Sequence, residues 1–297
     1  MYRTLSPYLR ERFGCKVYKL ALSTGCSCPN RDGTLGTRGC IFCSGSGEFA
    51  ASSSASIPEQ LEQAKFILGK KGQNARYIAY FQEFTNTYAP ASRLRPLFFA
   101  AIEPSDIVAL SIATRPDCLP DDILALIREL AAVKPVWVEL GLQTIHDETA
   151  RLINRCYDLK VFDDAMKRLA SRSIKTVVHL ILGLPGESRE MMLDSVRYVA
   201  SIDRLFGMKL HLLNVVKGSQ MEFMYPHYQP FGSIEEYVSL VVECLELIPP
   251  QVTIHRLTGD APRSILINPP WSFNKRTILN GINDRLNLLD TWQGKKA

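Results

Sequence analysis

The chain has 297 residues, 46% hydrophobic and 22% charged, with a formal net charge of +5. That balance excludes a disordered chain and leaves room for one large α/β domain or two small ones; the mild positive charge permits a nucleic-acid or anionic partner without arguing for one. No apolar run approaches the roughly 20 residues that span a bilayer, and the N-terminal MYRTLSPYLRERFG has charge but no apolar core, unlike a secretory signal, so a cytoplasmic location with no membrane partner is expected.

Taken in chain order, a first strand is expected over Lys16–Leu22, followed at once by a glycine-dotted loop that carries four of the eight cysteines. A helix opens at Pro58, with Leu61, Ala64, Phe66 and Leu68 at helical spacing. A strand at Arg76–Phe81, a helix near Ala91–Ile102 and a strand at Asp106–Ala113 come next. The helix after Pro120 has Asp121 and Asp122 in its first turn, where the helix dipole favours acids. Strands at Val136–Leu142, Lys175–Leu182 and Met208–Val215 complete the series, with helices between them.

These six runs are apolar rather than alternating, which suits parallel strands covered by helices. No G-x-G-x-x-G fingerprint is present, so the pattern predicts a partial (β/α)6 TIM-like barrel, not a doubly wound sheet. Past Gly218 come a helix near Ile234–Leu247, a short strand VTIHRL and an end rich in turn, aromatic and basic residues. The expected organisation is an arm over 1–15, a core barrel over 16–217, and an extension over 218–297 that packs on the barrel and closes its open side or mouth. In barrels of this kind chemistry gathers at the C-terminal ends of the strands. The cysteine loop, FTNT, TRPD, QTIH and GLPGE all fall just past a strand, which points to an enzyme.

In CSCPNRDGTLGTRGCIFC, from Cys26 to Cys43, three chemistries compete. Four thiolates suit tetrahedral zinc, although C-x-C is a less usual half-site than the C-x2-C of Cys40 and Cys43. A redox pair at Cys40 and Cys43 lacks the thioredoxin-like surroundings that normally accompany it. Three cysteines can instead hold an iron–sulfur cluster and leave one iron open. The GSGEF that follows Cys43 lacks the Lys-Ser/Thr of a phosphate loop and reads as a flexible shoulder of the cysteine loop.

The spacing Cys28-x11-Cys40-x2-Cys43 resembles the cluster motif of radical S-adenosylmethionine (SAM) enzymes, in the branch that includes the catalytic subunit of Elongator. SIATRPD, VELGLQTIHDETARLINR, HLILGLPGE and KLHLLNVVKG follow in matching order, and similar segments occur in oxygen-independent coproporphyrinogen oxidases. The ending WSFNKRTILN…DTWQGKK resembles that of a compact bacterial family, so the likeness runs from about Lys16 onward. It implies that Cys28, Cys40 and Cys43 ligate a [4Fe-4S] cluster whose fourth iron binds SAM. It further implies that an electron from a donor such as flavodoxin or ferredoxin cleaves SAM to methionine and a 5′-deoxyadenosyl radical, which abstracts a substrate hydrogen. Cys26 stands where the pattern usually has an apolar residue and reads as a bystander; Cys156 stands where relatives usually have glycine.

The resemblance also supplies candidate SAM contacts. Thr85 and Asn86 would hold the amino group, Thr114 lies at the mouth beside Arg115 and Asp117, and Gln143 and Arg155 would meet the ribose and the carboxylate. His179 and the backbone near Leu184 would lie by the ribose or adenine. Ala113 stands where relatives often carry a ribose-binding glutamate. Glu139, an acid inside an apolar strand, is read either as a ribose or substrate contact or as a structural ion pair. No residue is singled out as catalytic. Little chain remains for a separate macromolecule-binding domain, so a small molecule or nucleobase is the expected substrate, with queuine lyase chemistry as one specific form. A tRNA-modifying enzyme, favoured by Lys275, Arg276, Lys295 and Lys296, is the alternative, without acetyl transfer because the chain stops where that domain would begin. A zinc-binding, non-enzymatic module is the reading from another class.

Overall fold

Ile107–Thr114 buries every one of its side chains, which demands cover on both faces of the strand. The computed structural model describes residues 1–44, 55–72, 74–259 and 261–297 and shows how that cover is supplied. In chain order the elements are α1 (Leu5–Phe13), β1 (Val17–Leu22), α2 (Ile57–Leu68), β2 (Arg76–Phe81), α3 (Ala91–Ile102), β3 (Ile107–Thr114), α4 (Asp121–Val133) and β4 (Val136–Gln143). Then come α5 (Asp147–Leu152), α6 (Leu159–Ser171), β5 (Lys175–Leu182), α7 (Arg189–Ala200), β6 (Gly207–Leu212), β7 (Val215–Val216), α8 (Gln220–Met224) and α9 (Ile234–Leu247). The chain finishes with β8 (Thr253–Arg256), β9 (Leu266–Asn268) and α10 (Lys275–Leu288).

The strands form one curled, open parallel sheet in the order β1-β2-β3-β4-β5-β6-β8, while β7 and β9 pair separately and antiparallel. The helices cover the outer face through one large apolar core that includes Leu94, Phe98, Leu126, Phe162, Val196 and Leu240. The sheet therefore has seven strands, one more than the six apolar runs predict. The additional strand crosses the expected 217/218 boundary: β8 lies parallel to β6, with Gly207 opposite Thr253 and Met208 opposite Ile254. It is only four residues long and ends in His255 and Arg256, so it lacks the apolar length that marks the others.

Local chemistry fixes the helix starts. Ser56 gives its backbone N–H to the Glu59 carboxylate at 2.7 Å, and Pro58 occupies the first turn of α2. Leu61 faces the core as expected, but Phe66 is 86% exposed, because the helix turns that side to solvent. The residues before β1 are more than an arm. α1 lies under the sheet, where Leu9 joins Ile78, Ala109, Trp137 and Val177 in a separate apolar cluster that closes the bottom of the half-barrel. Thr4 bridges to Ile254 on β8, and the Arg3 N–H donates to Gln293 Oε1 at 2.8 Å. The Gln293 amide in turn donates to the Pro249 and Val252 carbonyls, both at 2.8 Å.

Candidate active site

The inner face of the half-barrel is polar where the outer face is not. Inward positions alternate along each strand, and a cavity of about 450 Å³ opens at their C-terminal ends. That volume falls within the range of small-ligand sites. Ala261 and Ile265, from the C-terminal extension, form part of its wall.

Cys28, Cys40 and Cys43 all line this cavity. Their loop is braced rather than loose: the Arg31 N–H donates to the Cys28 carbonyl at 2.8 Å, Cys43 N–H to the Cys40 carbonyl at 3.0 Å, and Arg31 Nη2 to the Cys43 carbonyl at 2.9 Å. The loop is also tied to the rest of the barrel, since Ile41 N–H donates to Ile153 and Asn154 Nδ2 to Gly39, at 3.1 and 2.8 Å. Burial pushes the Cys40 thiol up to about 12, and the neighbouring Cys43 and Cys28 add to it, so the three sulfurs feel one another. Among the described residues no three His, Cys, Asp or Glu side chains are drawn around a single metal ion. An iron–sulfur cluster would take the three thiolates on different irons, so it would not require them to converge on one ion. Cys26 is packed in the large apolar core with Leu20 and Leu22, turned away from the cavity; that placement fits an apolar position in the pattern. The GSGEF shoulder, Gly45–Phe49, lies outside the described residues.

Thr85, Thr114, Glu139, Gln143, Arg155 and His179 also line the cavity. Thr114 Oγ1 is 2.6 Å from Thr87 Oγ1. Gln143 has a φ of 66° and folds back over Gly141, where an added Cβ would stand 2.5 Å from the end of the Gln143 side chain, and the Gln143 amide is placed to donate to the Gly141 and Leu142 carbonyls. Arg155 is buried. Its Nη1 donates to the Leu142 and Thr144 carbonyls at 2.7 and 2.6 Å, and its Nε to the Tyr157 carbonyl at 3.0 Å. Nη2 makes no hydrogen bond, its nearest acid being Asp147 at 3.6 Å. One nitrogen, not a bidentate fork, is thus left for a ligand.

Two candidates stand elsewhere. Asn86 is fully buried and braces strand ends, donating to the Ala113 carbonyl at 3.0 Å and accepting from Thr24 Oγ1 at 3.1 Å. The Leu184 side chain is packed behind the cysteine loop with Ile41, Ile153 and Met221, which leaves only the backbone near it, the part named from the sequence, for a ligand.

Glu139 forms the centre of a buried network that sequence reading sees only as a lone acid. Its carboxylate accepts from Lys19 at 2.9 Å, Ser111 at 2.7 Å, His179 Nε2 at 2.8 Å, Trp137 Nε1 at 3.3 Å, and Lys209. Burial opposes its ionisation, but Lys19, Lys209 and His179 outweigh burial and hold the carboxyl well below the usual carboxylate range. The ion-pair reading is therefore present in the geometry, beside a position on the cavity lining. Burial and Lys209 lower His179 to about 4, so its ring is neutral and donates from Nε2. Burial likewise brings Lys209 down to about 7, against the pull of Glu139. Lys19, Lys209 and His211 were not singled out from the sequence. Their trace is the alternation in KLHL, where Lys209 and His211 point inward while Leu210 and Leu212 join the outer core.

Cys156 has a φ of 63°, the left-handed conformation that favours glycine and accounts for the glycine usual there. Its thiol donates to Asn30 Oδ1 at 3.0 Å, and Asn30 Nδ2 lies 3.6 Å from Cys40 Sγ. Cys156→Gly is expected to change stability by less than about 1 kcal/mol, whereas Cys156→Val should lower it by about 1–2 kcal/mol or more in denaturant unfolding.

The sequence profile described as Radical SAM superfamily matches residues 32–199, and that described as Radical_SAM C-terminal domain matches 206–287. The chain is 45% identical to "Uncharacterized protein YtqA" of Bacillus subtilis (strain 168), covering 99% of this chain and 92% of that one. It is 40% identical to "Protein YhcC" of Escherichia coli (strain K12), covering 94% and 90%. It is 25% identical to "Elongator complex protein 3" of Schizosaccharomyces pombe, over 60% of this chain and 33% of that one. Among solved structures, the archaeal Methanocaldococcus infernus Elp3 superposes with a TM-score of 0.68 at 17% identity, covering 91% of this chain and 63% of that one, which shows a shared fold. Methylornithine synthase (PylB) superposes with a TM-score of 0.57 at 12% identity, covering 96% and 85%. No described helix is long and apolar enough to cross a membrane. With a profile match over more than half its length, and relatives this similar over nearly all of it, the chain belongs to the radical SAM superfamily, whose enzymes use a [4Fe-4S] cluster and S-adenosylmethionine.

Proposed function

We propose that Cys28, Cys40 and Cys43 are the protein ligands of the cluster, and that the enzyme abstracts a hydrogen atom from a small molecule or nucleobase held in the cavity below. The observation that carries this reading is that the three thiols share one cavity with Thr85, Thr114, Gln143, Arg155 and His179, while Cys26 is packed into the core. When bound, the cluster and SAM supply an electron and a carbon-centred radical. The protein's own residues bind, orient and exclude water. Arg155 Nη2 would take the SAM carboxylate, Gln143 would meet its ribose, and Thr85 and Thr114 would hold its amino group, while Asn86 fixes the strand ends and Leu184 packs behind the cysteine loop. An electron donor such as flavodoxin or ferredoxin would approach from the side of that loop.

Two of the four basic residues named for tRNA already have partners within the fold. Lys296 is ion-paired with Glu246, and Lys295 donates to the Asp290 carbonyl at 2.7 Å and stands 4.9 Å from the Trp292 ring centre, so both are engaged within the fold. Anaerobic reconstitution with SAM and dithionite, followed by fractions of a metabolite extract, is expected to yield 5′-deoxyadenosine with the fraction that holds the substrate. A fully loaded enzyme that forms none with any fraction refutes the reading. Queuine, the specific lyase candidate, is removed if it is not consumed under the same conditions.

A further inference from the structure

The floor of the cavity has donors left over. Lys19 and Lys209 share the single carboxylate of Glu139. Lys209 gives one N–H to Glu139 and one to Tyr80 Oη at 3.0 Å, and an ammonium has three. Two residues further along the same strand, and so on the same face, His211 lines the same cavity with its Nε2 buried and without a hydrogen bond. The His179 ring stacks against it with centroids 5.2 Å apart and has its own Nε2 committed to Glu139. A buried imidazole nitrogen with no partner and an ammonium with no counter-charge of its own are both costly, and an anion placed between them relieves both.

We propose that Lys209 and His211 form an anion-binding pair that takes a carboxylate carried by the substrate, one oxygen to each donor. This inference rests on the proposed chemistry at the mouth above and names the substrate class: a carboxylate-bearing small molecule. Two oxygens match the two donors, and Arg256 on the same cavity wall adds positive charge that favours an anion there. The site is distinct from the one Arg155 would offer SAM. In strand register Lys209 stands opposite His179 and so level with Gly141, two positions or about 7 Å below Gln143, while His211 stands level with Ile181 on the β5–β6 side of the cavity.

The test uses cluster-loaded enzyme with SAM bound, titrated anaerobically by equilibrium dialysis with nicotinate and with its neutral isostere nicotinamide. Nicotinate is expected to bind about tenfold more tightly, and Lys209→Met and His211→Phe should each remove that preference. His211→Phe keeps the ring and leaves the Glu139 ion pairs untouched, so it decides the matter even if Lys209→Met fails to fold. Equal binding of the two probes, no binding of nicotinate, or a preference that survives in His211→Phe overturns the proposal. Iron, sulfide and SAM content of the same wild-type samples separates the two failures: a loaded enzyme indifferent to the carboxylate sinks the floor alone, and a protein that takes up no cluster sinks the mouth and the floor together.

Discussion

Replacing Cys28, Cys40 or Cys43 by alanine is expected to strip the protein of iron and labile sulfide, while Cys26→Ala leaves both near the wild-type level. Loss of a group that merely orients a ligand costs about 10–100-fold in metal affinity, so loss of a ligand itself should exceed that. Cys40 is the most informative of the three. Its thiol is the one that burial and the neighbouring sulfurs push up to about 12, so in the metal-free protein it is a neutral, half-buried group whose removal disturbs packing little. Folding of Cys40→Ala, checked by circular dichroism, should therefore be preserved while iron is lost. The Cys26 arm guards the assignment: this residue is 5% exposed within the main core, and alanine there removes a sulfur from an apolar site. If Cys26→Ala is the variant that loses iron, the ligand set is wrong.

Glu139→Gln is expected to destabilise the fold by about 3–5 kcal/mol, because it leaves Lys19 and Lys209 without their shared counter-charge in a buried site. The apparent Tm of the apo-protein should fall on the order of 10 °C. The pH dependence separates lost charge from lost packing. The Glu139 carboxyl is held well below 4.5, so the stability it contributes is present above about pH 4.5 and is lost as pH falls through the depressed value. His179, lowered to about 4 from an ordinary 6.5, acts in the same direction: the unfolded chain binds its proton first, and stability declines between about pH 6.5 and 4. In Glu139→Gln the acid loss below pH 4.5 should be missing. A variant with unchanged melting, or with the wild-type acid profile intact, would show that the carboxylate does not hold the network together.

The apolar strands were legible because each is long enough to be covered on both faces, and their ends placed the cysteine loop and the TRPD and Gln143 segments at one mouth. VTIHRL was legible as a short strand but not as a seventh member of the sheet, since four residues ending in His and Arg lack the apolar length of the others until the free edge of β6 is seen. Position past a strand end was readable; direction was not. Thr85 and Asn86 are adjacent in sequence, yet one lines the cavity and the other is turned into the scaffold. The Glu139 network escaped for a different reason. Lys19 and Lys209 lie 120 and 70 positions away, and nothing local in either strand announces the partner.

The seal beneath the half-barrel joins residues almost as far apart as the chain permits: Arg3 meets Gln293, 290 positions away, and Thr4 meets Ile254. Loops of that span close late and slowly. Leu5, Tyr8 and Leu9 of α1, made first, cover Trp137 and Val177, but the hydrogen bond and the bridge that fasten the segment before α1 wait for Gln293 and Ile254, made near the end. The first helix to be made is thus among the last to be fastened, and its hold on the underside depends on the far end of the polypeptide.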